Sequence, residues 1–277
     1  SIRMKMICPV AYSSPRNSVM TNLFTLLLED SLNEYAYDAV VAGMRYSLRN
    51  VTYGMHLAVD GYNDRLHVLA NAIIEKIAAF KVNSDRFGKI RDQLERDFAN
   101  FQKDQPYEHA MYNISFLLES PRWHVDDYLS CLRDGSVTVA AVDAFVPVLL
   151  GRMFAVVLVH GNVSEDWSKK FAANVTNMLH YQPIGQAEIP RRRIGQLPND
   201  FAVVTRKKGL NDDDRNSAVQ LLYQVGPRGD LKLDVTLELL AKIMNKPFFH
   251  ELRTQQQLGY IVFEGVDDHE GVTGIYV

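Results

Sequence analysis

Apolar residues recur every three or four positions along most of the chain, which is the spacing of amphipathic helices. The clearest stripe runs over 65–80 and consists of Leu66, Leu69, Ile73, Ile77 and Phe80. The same pattern predicts helices over 19–35, 37–42, 84–102, 106–119, 124–132, 138–150, 165–180 and 231–244, with a new helix starting after Asn245. Residues 1–16 show no such period and contain two prolines, so irregular structure is expected there.

Alternation of apolar and polar residues, the period of a half-buried strand, is clearest in 53–62. The preceding segment 45–48 is predicted to be its neighbour in the sheet. The run 154–161 is almost entirely apolar, which predicts a central sheet strand. Further strands are expected over 201–207, 217–225, 260–263 and 271–277. Helices and strands occur in both halves of the chain, so the expected fold class is α+β.

The pattern of apolar and polar residues breaks off between the expected helix over 165–180 and the expected strand over 201–207. Residues 181–200 contain three prolines and two glycines and have no periodicity, which is typical of a linker. On each side a long helix leads to a shorter helical segment and then to a strand. This weak echo predicts two copies of one α+β unit, each a largely antiparallel sheet packed with helices, with the second copy cut short.

Composition narrows the classes of function. The formal net charge is −3, whereas a dedicated nucleic-acid-binding domain usually carries a strong basic excess. The two cysteines offer no disulfide framework, which fits a reducing, cytoplasmic environment. The apolar runs are too short to span a bilayer. A globular protein that binds neither nucleic acid nor membrane is therefore expected.

Motifs for metal and nucleophilic chemistry are missing from the sequence. Neither H-x-x-E-H nor H-E-x-x-H occurs, and Thr254 stands where a second histidine would follow the pair His250-Glu251. Neither a G-x-S-x-G elbow nor a P-loop is present. No metal site is predicted within this chain.

The segment RTQQQLGY places Arg253 and Tyr260 seven residues apart across an expected helix-to-strand change. If the helix ends near Gln257 and Gly259 turns the chain, both side chains reach one cleft. Their hydrogen-bond donors suit a peptide carbonyl and the oxyanion formed from it. Alternatively, Arg253 is a surface helix residue and Tyr260 a half-buried strand residue, and the residues alone favour this ordinary interpretation.

Five segments together resemble the M16, or pitrilysin-type, zinc metallopeptidase family, in particular its insulin-degrading-enzyme type. They are RTQQQLGYIVF (253–263), LLEDSLNEYAYDAVVAGMRYSLRN (27–50), YGMHLAVDGYND (53–64), QPYEHAMY (105–112) and HGNVS (160–164). They follow the order of the family and span nearly the whole chain. The resemblance implies an M16-like third domain over 1–184, a linker over 185–200 and the first part of an M16-like fourth domain over 201–277.

The resemblance also implies what the complete protein does. Family members are zinc-dependent metalloendopeptidases whose two halves close on a peptide in an enclosed chamber, and the N-terminal half carries H-x-x-E-H. This chain is accordingly expected to bind no zinc and to be inactive alone. Its expected partners are peptide substrates and the N-terminal half, and a homodimer is left open. The alternative is a non-catalytic M16-like module for binding or assembly.

Site residues follow from the same motif match. Arg253 and Tyr260 are implied to hold the substrate backbone and stabilise the tetrahedral intermediate, and Phe249 to line the pocket beside the scissile bond. One position departs from the family, since Gln256 stands where an acidic residue is common. The change removes one negative charge and leaves the donors of Arg253 and Tyr260 unaltered.

Overall fold

The computed structural model describes the backbone of residues 1–277 and the side chains of all residues except Glu34. The chain divides into two compact units. Unit 1 comprises Ser1–Ala99 and Trp123–Arg191, and unit 2 comprises Asn100–Arg122 and Arg192–Val277. Helices and largely antiparallel sheets occur in both units, so the predicted α+β class is confirmed.

Short turns separate most of the regular elements. In chain order these are β1 (Ile2–Ile7), α1 (Pro15–Val41), β2 (Arg45–Val51), β3 (Gly54–Asp60), α2 (Asn63–Ala78), α3 (Ser84–Asn100), α4 (Pro106–Leu118), β4 (Glu119–Ser120), α5 (Val125–Arg133), α6 (Val139–Gly151), β5 (Arg152–Val159), α7 (Glu165–Leu179), β6 (Gln182–Pro183), β7 (Arg193–Ile194), β8 (Leu222–Pro227), α8 (Leu231–Phe249), a π-helical segment (His250–Gln255), β9 (Gly265–His269) and β10 (Val272–Tyr276).

Unit 1 is built on a five-stranded sheet with the order β2-β3-β1-β5-β6. All of its pairs are antiparallel except β5 with β6. Alternate residues of β1 and β3, including Met4, Met6 and Leu57, are fully buried on one face and join a single apolar core with the helices. The opposite face of this sheet carries the exposed residues of the same strands.

Strand β1 contradicts the expectation that 1–16 is irregular. It lies at the centre of the sheet and pairs with both β3 and β5. Ile2, Met4 and Met6 are buried and alternate with Arg3 and Lys5, which is a strand pattern. Both prolines of the segment come after the strand, so neither removes one of its hydrogen bonds.

The prediction of two helices over 19–35 and 37–42 was also wrong, because α1 is continuous from Pro15 to Val41. Its first turn is capped by Ser14, whose hydroxyl accepts a hydrogen bond from the Asn17 amide at 3.1 Å. The apolar stripe ends near residue 36 because the last turns leave the core, where Tyr37 and Val41 are exposed. Loss of the stripe therefore marked a change of environment and not a helix end.

Strand β5 was expected to be a central sheet strand, and it lies between β1 and the two-residue edge strand β6. Phe154, Val156 and Leu158 are exposed on the outer face of the sheet. On the side away from β1, only Arg152 and Met153 pair with a neighbouring strand. The strand is apolar throughout, yet tertiary structure buries only one of its faces.

Unit 2 contains an antiparallel sheet of order β8-β10-β9, helices α4 and α8, and the short pair β4–β7. The expected strands over 201–207 and 260–263 do not form, and that over 217–225 is shifted to β8. A strand requires a hydrogen-bonded neighbour, and no strand pairing involves 201–207 or 260–263 among the described residues. Helix α8 continues through Pro247, where a restart was expected.

Two further findings concern the whole described chain. None of its helices has the length and the apolar character needed to cross a membrane. The two cysteines are free thiols; Cys8 is buried and Cys131 is partly exposed. Burial raises the pKa of the Cys8 thiol to about 12, and burial is also the first cause that raises the pKa of Cys131.

We expect iodoacetamide at pH 8 to alkylate Cys131 while Cys8 stays unmodified in the folded protein. The thiolate is the reacting species, and a pKa of about 12 makes the thiolate fraction of Cys8 about a thousandfold smaller than that of an ordinary thiol. Peptide mapping by mass spectrometry measures both sites, and denaturant provides the control in which both react. Equal rates in the folded protein would contradict the buried position of Cys8.

Candidate functional site

The site residues lie in unit 2 at the end of α8. Asp230 is the N-cap of this helix. Its carboxylate accepts hydrogen bonds from the amides of Lys232 and Leu233 at 2.9 and 3.3 Å. Nineteen residues later the α-helix widens into the π-helical segment. Phe249 is the last α-helical residue, and Arg253 lies within the π-helical turn.

The π-helical turn sets the direction in which the chain leaves the helix. The amide of Gln256 donates to the carbonyl of Glu251 at 2.9 Å, which is an i→i−5 bond. Gln257 then adopts a left-handed conformation with φ of 52°, which reverses the chain. The turn was expected at Gly259, so the structure moves it two residues earlier.

Phe249, Arg253 and Tyr260 are brought together by this turn. The guanidinium carbon of Arg253 lies 4.3 Å from the ring centroid of Tyr260 and 5.3 Å from that of Phe249. Both distances are in the range of cation–π contacts, which hold the guanidinium plane against aromatic faces. The three residues predicted to act together therefore form one contiguous group.

The guanidinium of Arg253 and the hydroxyl of Tyr260 are accessible to a ligand. Tyr260 is 84% exposed and Phe249 45% exposed, and Arg253 is partly exposed. No ion pair joins Arg253 to a carboxylate among the described side chains. The guanidinium and the phenol can thus both donate hydrogen bonds outward, beside an apolar ring surface.

Gln256 contributes to the turn and not to this group. Its side-chain amide donates to the carboxylate of Glu251 at 2.7 Å. Its neighbour Gln255 is hydrogen-bonded to the Nε2 atom of His250 at 2.9 Å. A carboxylate at position 256 would face Glu251 with like charge, so the glutamine supports this local geometry without altering Arg253.

Among the described side chains, no three His, Cys, Asp or Glu residues are grouped so that they could hold an ion. After the pair His250 and Glu251, position 254 is a threonine and positions 255–257 are glutamines, so no second histidine follows on the next helical turn. The polar side chains of the candidate group itself, Arg253 and Tyr260, offer a guanidinium and a phenol, which are not usual zinc ligands.

Sequence reasoning missed a second polar group in unit 2. The Glu119 side chain is only 5% exposed, forms an ion pair with Arg192 and receives hydrogen bonds from Arg122 and His269, both at 2.6 Å. A cavity of about 290 Å³ lies beside it, lined in part by Ser115 and Gln220. These residues are scattered along the chain without any motif spacing, so only the tertiary structure reveals them.

Comparison with known families matches two parts of the chain. Residues 1–131 match the model described as the middle or third domain of peptidase M16. Residues 239–277 match a model described as domain 4 of the C-terminal lobe of PQQ synthase PqqF-like proteins. The two matches occur in the order expected for consecutive M16 domains.

Among curated proteins, human insulin-degrading enzyme is 36% identical over 99% of this chain. Insulin-degrading enzyme-like 1, peroxisomal, from Arabidopsis thaliana is 34% identical over 99%. The chain spans 27% of the human protein and 29% of the plant protein, so it covers a little over a quarter of their lengths. The likeness extends over the whole chain and includes both units.

Solved structures show the same fold. A crystal structure of pitrilysin matches 99% of this chain with a TM-score of 0.75 and 21% identity, over 28% of the pitrilysin chain. A structure described as a peptidase M16 inactive domain from Pseudomonas fluorescens matches 99% of this chain with a TM-score of 0.61 and 14% identity, over 68% of that chain. At these identities the likeness concerns the fold alone.

Proposed function

Because this chain belongs to the M16 peptidase family and corresponds to a C-terminal portion of its insulin-degrading-enzyme type, we propose that the complete protein is a zinc-dependent metalloendopeptidase that cleaves peptides in an enclosed chamber. Within it, residues 1–184 are the third domain, 185–200 a linker and 201–277 the beginning of the fourth domain. The family match over 1–131 and the domain 4 match over 239–277 support this division.

The observation that carries the proposal is the contact of Arg253 with two aromatic rings, with no ion pair to its guanidinium among the described side chains. A guanidinium held against Tyr260 and Phe249 loses little conformational freedom when it binds a ligand. A peptide backbone presents carbonyl oxygens, which accept hydrogen bonds from such donors. Phe249 offers an apolar surface for a side chain next to the bond to be cleaved.

In this proposal the chain's own residues bind and polarise the peptide. Arg253 donates to a backbone carbonyl and fixes the position of the substrate. The Tyr260 hydroxyl donates to the oxygen of the carbonyl under attack, whose negative charge is greatest in the tetrahedral intermediate. The interaction is therefore stronger in the transition state than with bound substrate, as catalysis requires.

Among the described residues, no group of three His, Cys, Asp or Glu side chains could hold the zinc proposed for the complete protein. Its ligands would lie in an N-terminal half, which is the proposed partner of this portion together with peptide substrates. The isolated chain is accordingly proposed to bind no zinc and to cleave no peptide. A cytoplasmic location and a homodimer also remain proposals.

The test is hydrolysis of a quenched fluorogenic peptide by the complete protein carrying Arg253→Ala. Loss of a charge-assisted hydrogen bond to the substrate is expected to lower kcat/KM about tenfold or more. Arg215→Ala, which removes an exposed arginine of the same unit, is the matched control and should leave kcat/KM unchanged.

Two results would contradict the proposal. Unchanged kcat/KM in the Arg253→Ala variant would remove this residue from the site. Absence of hydrolysis by the well-folded, zinc-supplied complete protein would favour the alternative, a non-catalytic M16-like module for binding or assembly. In that case Arg253 and Tyr260 would be ordinary structural residues.

A further inference from the structure

The outer face of the five-stranded sheet in unit 1 carries a cluster of basic residues. Arg3 and Lys5 lie on β1, and Arg45 and Arg49 on β2. The residues that alternate with them along β1 and β2 face the helices and the core, so these four side chains share the opposite face of the sheet. We refer to this face, together with the exposed residues of β3 and β5 beside it, as the basic sheet face.

The strand register aligns these residues in rows. Arg49 pairs with His56, His56 with Lys5, and Lys5 with Val156. Neighbouring strands are about 4.8 Å apart, so three basic side chains stand side by side in one row that ends at an apolar residue. In the next row Arg3 lies between Ala58 and Leu158.

Among the described residues of strands β1, β2, β3 and β5, Asp60 is the one acidic side chain. Its carboxylate forms an ion pair with Arg3 at 3.0 Å. Among the described side chains, Lys5, Arg45 and Arg49 have no ion-pair partner. The face is therefore positive although the whole chain has a net charge of −3.

The pKa of His56 agrees with this excess of positive charge. It is lowered first by burial and then by the charges of Lys5, Arg3 and Arg49. The lowered pKa therefore agrees with the position of His56 beside these basic residues. An additional negative charge placed over this row would be stabilised.

An apolar column borders the cations. Phe154, Val156 and Leu158 occupy alternate positions of β5 on the same face, and each is exposed, Leu158 to 60%. Alternate residues of a strand are about 6.6 Å apart, which is also the spacing of alternate side chains in an extended peptide. The column thus matches an extended chain lying along the boundary between β1 and β5.

From this juxtaposition we propose that the basic sheet face binds an extended acidic peptide segment that also carries large apolar side chains. A carboxylate of the segment pairs with Lys5 and is further attracted by Arg49 in the same row, and its apolar residues cover Val156 and Leu158. A peptide fits better than a nucleic acid, because a phosphate backbone makes no apolar contact with the exposed side chains of β5. The proposal does not depend on Arg253 and Tyr260, since it concerns binding and not cleavage.

The test uses fluorescence anisotropy on the 277-residue chain with a labelled ten-residue peptide in which Glu alternates with Leu. The double variant Lys5→Glu/Arg49→Glu is expected to bind the peptide with a Kd about tenfold higher or more, because two attractive charges become repulsive. Added salt should weaken binding to the unmodified chain. Combined Val156→Ser and Leu158→Ser should weaken it about fivefold through lost apolar contact.

Combined Lys89→Glu and Arg96→Glu is the matched control. It makes the same change of charge on α3, whose buried residues Phe87 and Leu94 join the core on the other side of the sheet. This variant should bind the peptide like the unmodified chain. Thermal melts show whether each variant is folded.

Three outcomes would overturn the proposal. The first is equal loss of affinity in the basic-face and α3 variants, which would indicate a general effect of charge. The second is equal affinity for a peptide in which Lys replaces Glu. The third is that a single-stranded DNA oligomer of the same charge binds more tightly than the peptide and loses as much affinity in the basic-face variant. This result would assign the face to nucleic acid.

Discussion

Tyr260→Phe in the complete protein is expected to lower kcat about a hundredfold and to change KM little, because loss of one oxyanion donor costs about this much. The hydroxyl faces solvent and its ring is already held by Arg253, so phenylalanine keeps the contact and removes only the donor. A hydrogen bond that matters mainly in the tetrahedral intermediate contributes to kcat and not to the binding of substrate. Steady-state hydrolysis of a fluorogenic peptide separates the two parameters.

The matched control for this variant is Tyr62→Phe, which removes the hydroxyl of an exposed tyrosine in unit 1. It should leave both parameters unchanged. If Tyr260→Phe raised KM without lowering kcat, Tyr260 would bind the substrate only. If neither parameter changed, the residue would have no part in the reaction.

Phe24→Ala is expected to lower the free energy of unfolding by about 4 kcal/mol, as is typical when a buried phenylalanine is truncated. Phe24 on α1 is fully buried and meets the ring of Phe80 edge-to-face, with 4.8 Å between centroids. Alanine removes this contact and leaves a cavity that the surrounding helices and sheet cannot fill. Urea denaturation followed by circular dichroism measures the change.

Phe201→Ala supplies the comparison, since Phe201 is exposed and belongs to no helix or strand. Truncation there should change stability by less than about 0.5 kcal/mol. A similar loss of stability in both variants would mean that Phe24 does not lie at the centre of the core. A loss confined to Phe24→Ala supports the core arrangement of unit 1.

Helices with a clear apolar stripe were predictable from the sequence. Those over α2, α3, α5, α6 and α7 agree with their expected ranges to within a few residues. The stripe reports a helix packed on a core, so it failed at the end of α1, where Tyr37 and Val41 leave the core without a break in the helix. Strands were harder, because 201–207 has the residues of a strand but no partner for its hydrogen bonds.

The candidate site was predictable only through the resemblance to M16 peptidases. Spacing alone allowed Arg253 and Tyr260 to be unrelated surface residues. The π-helical turn and the left-handed Gln257 bring them together, and neither has a signal in the local sequence. The Glu119 cluster was invisible for the same reason, because its members come from distant parts of the chain.

The sequence by itself determined the α+β class, the helix-rich order of elements and the family resemblance. These depend on periodicity and on local motifs, which are properties of neighbouring residues. Tertiary structure alone decided that β1 is central, that β5 exposes one apolar face beside a row of cations, and that Arg253 stacks between Phe249 and Tyr260. Strand order, the burial of each face and the close approach of distant side chains depend on which segments pair, and that free energy is shared between residues far apart in the chain.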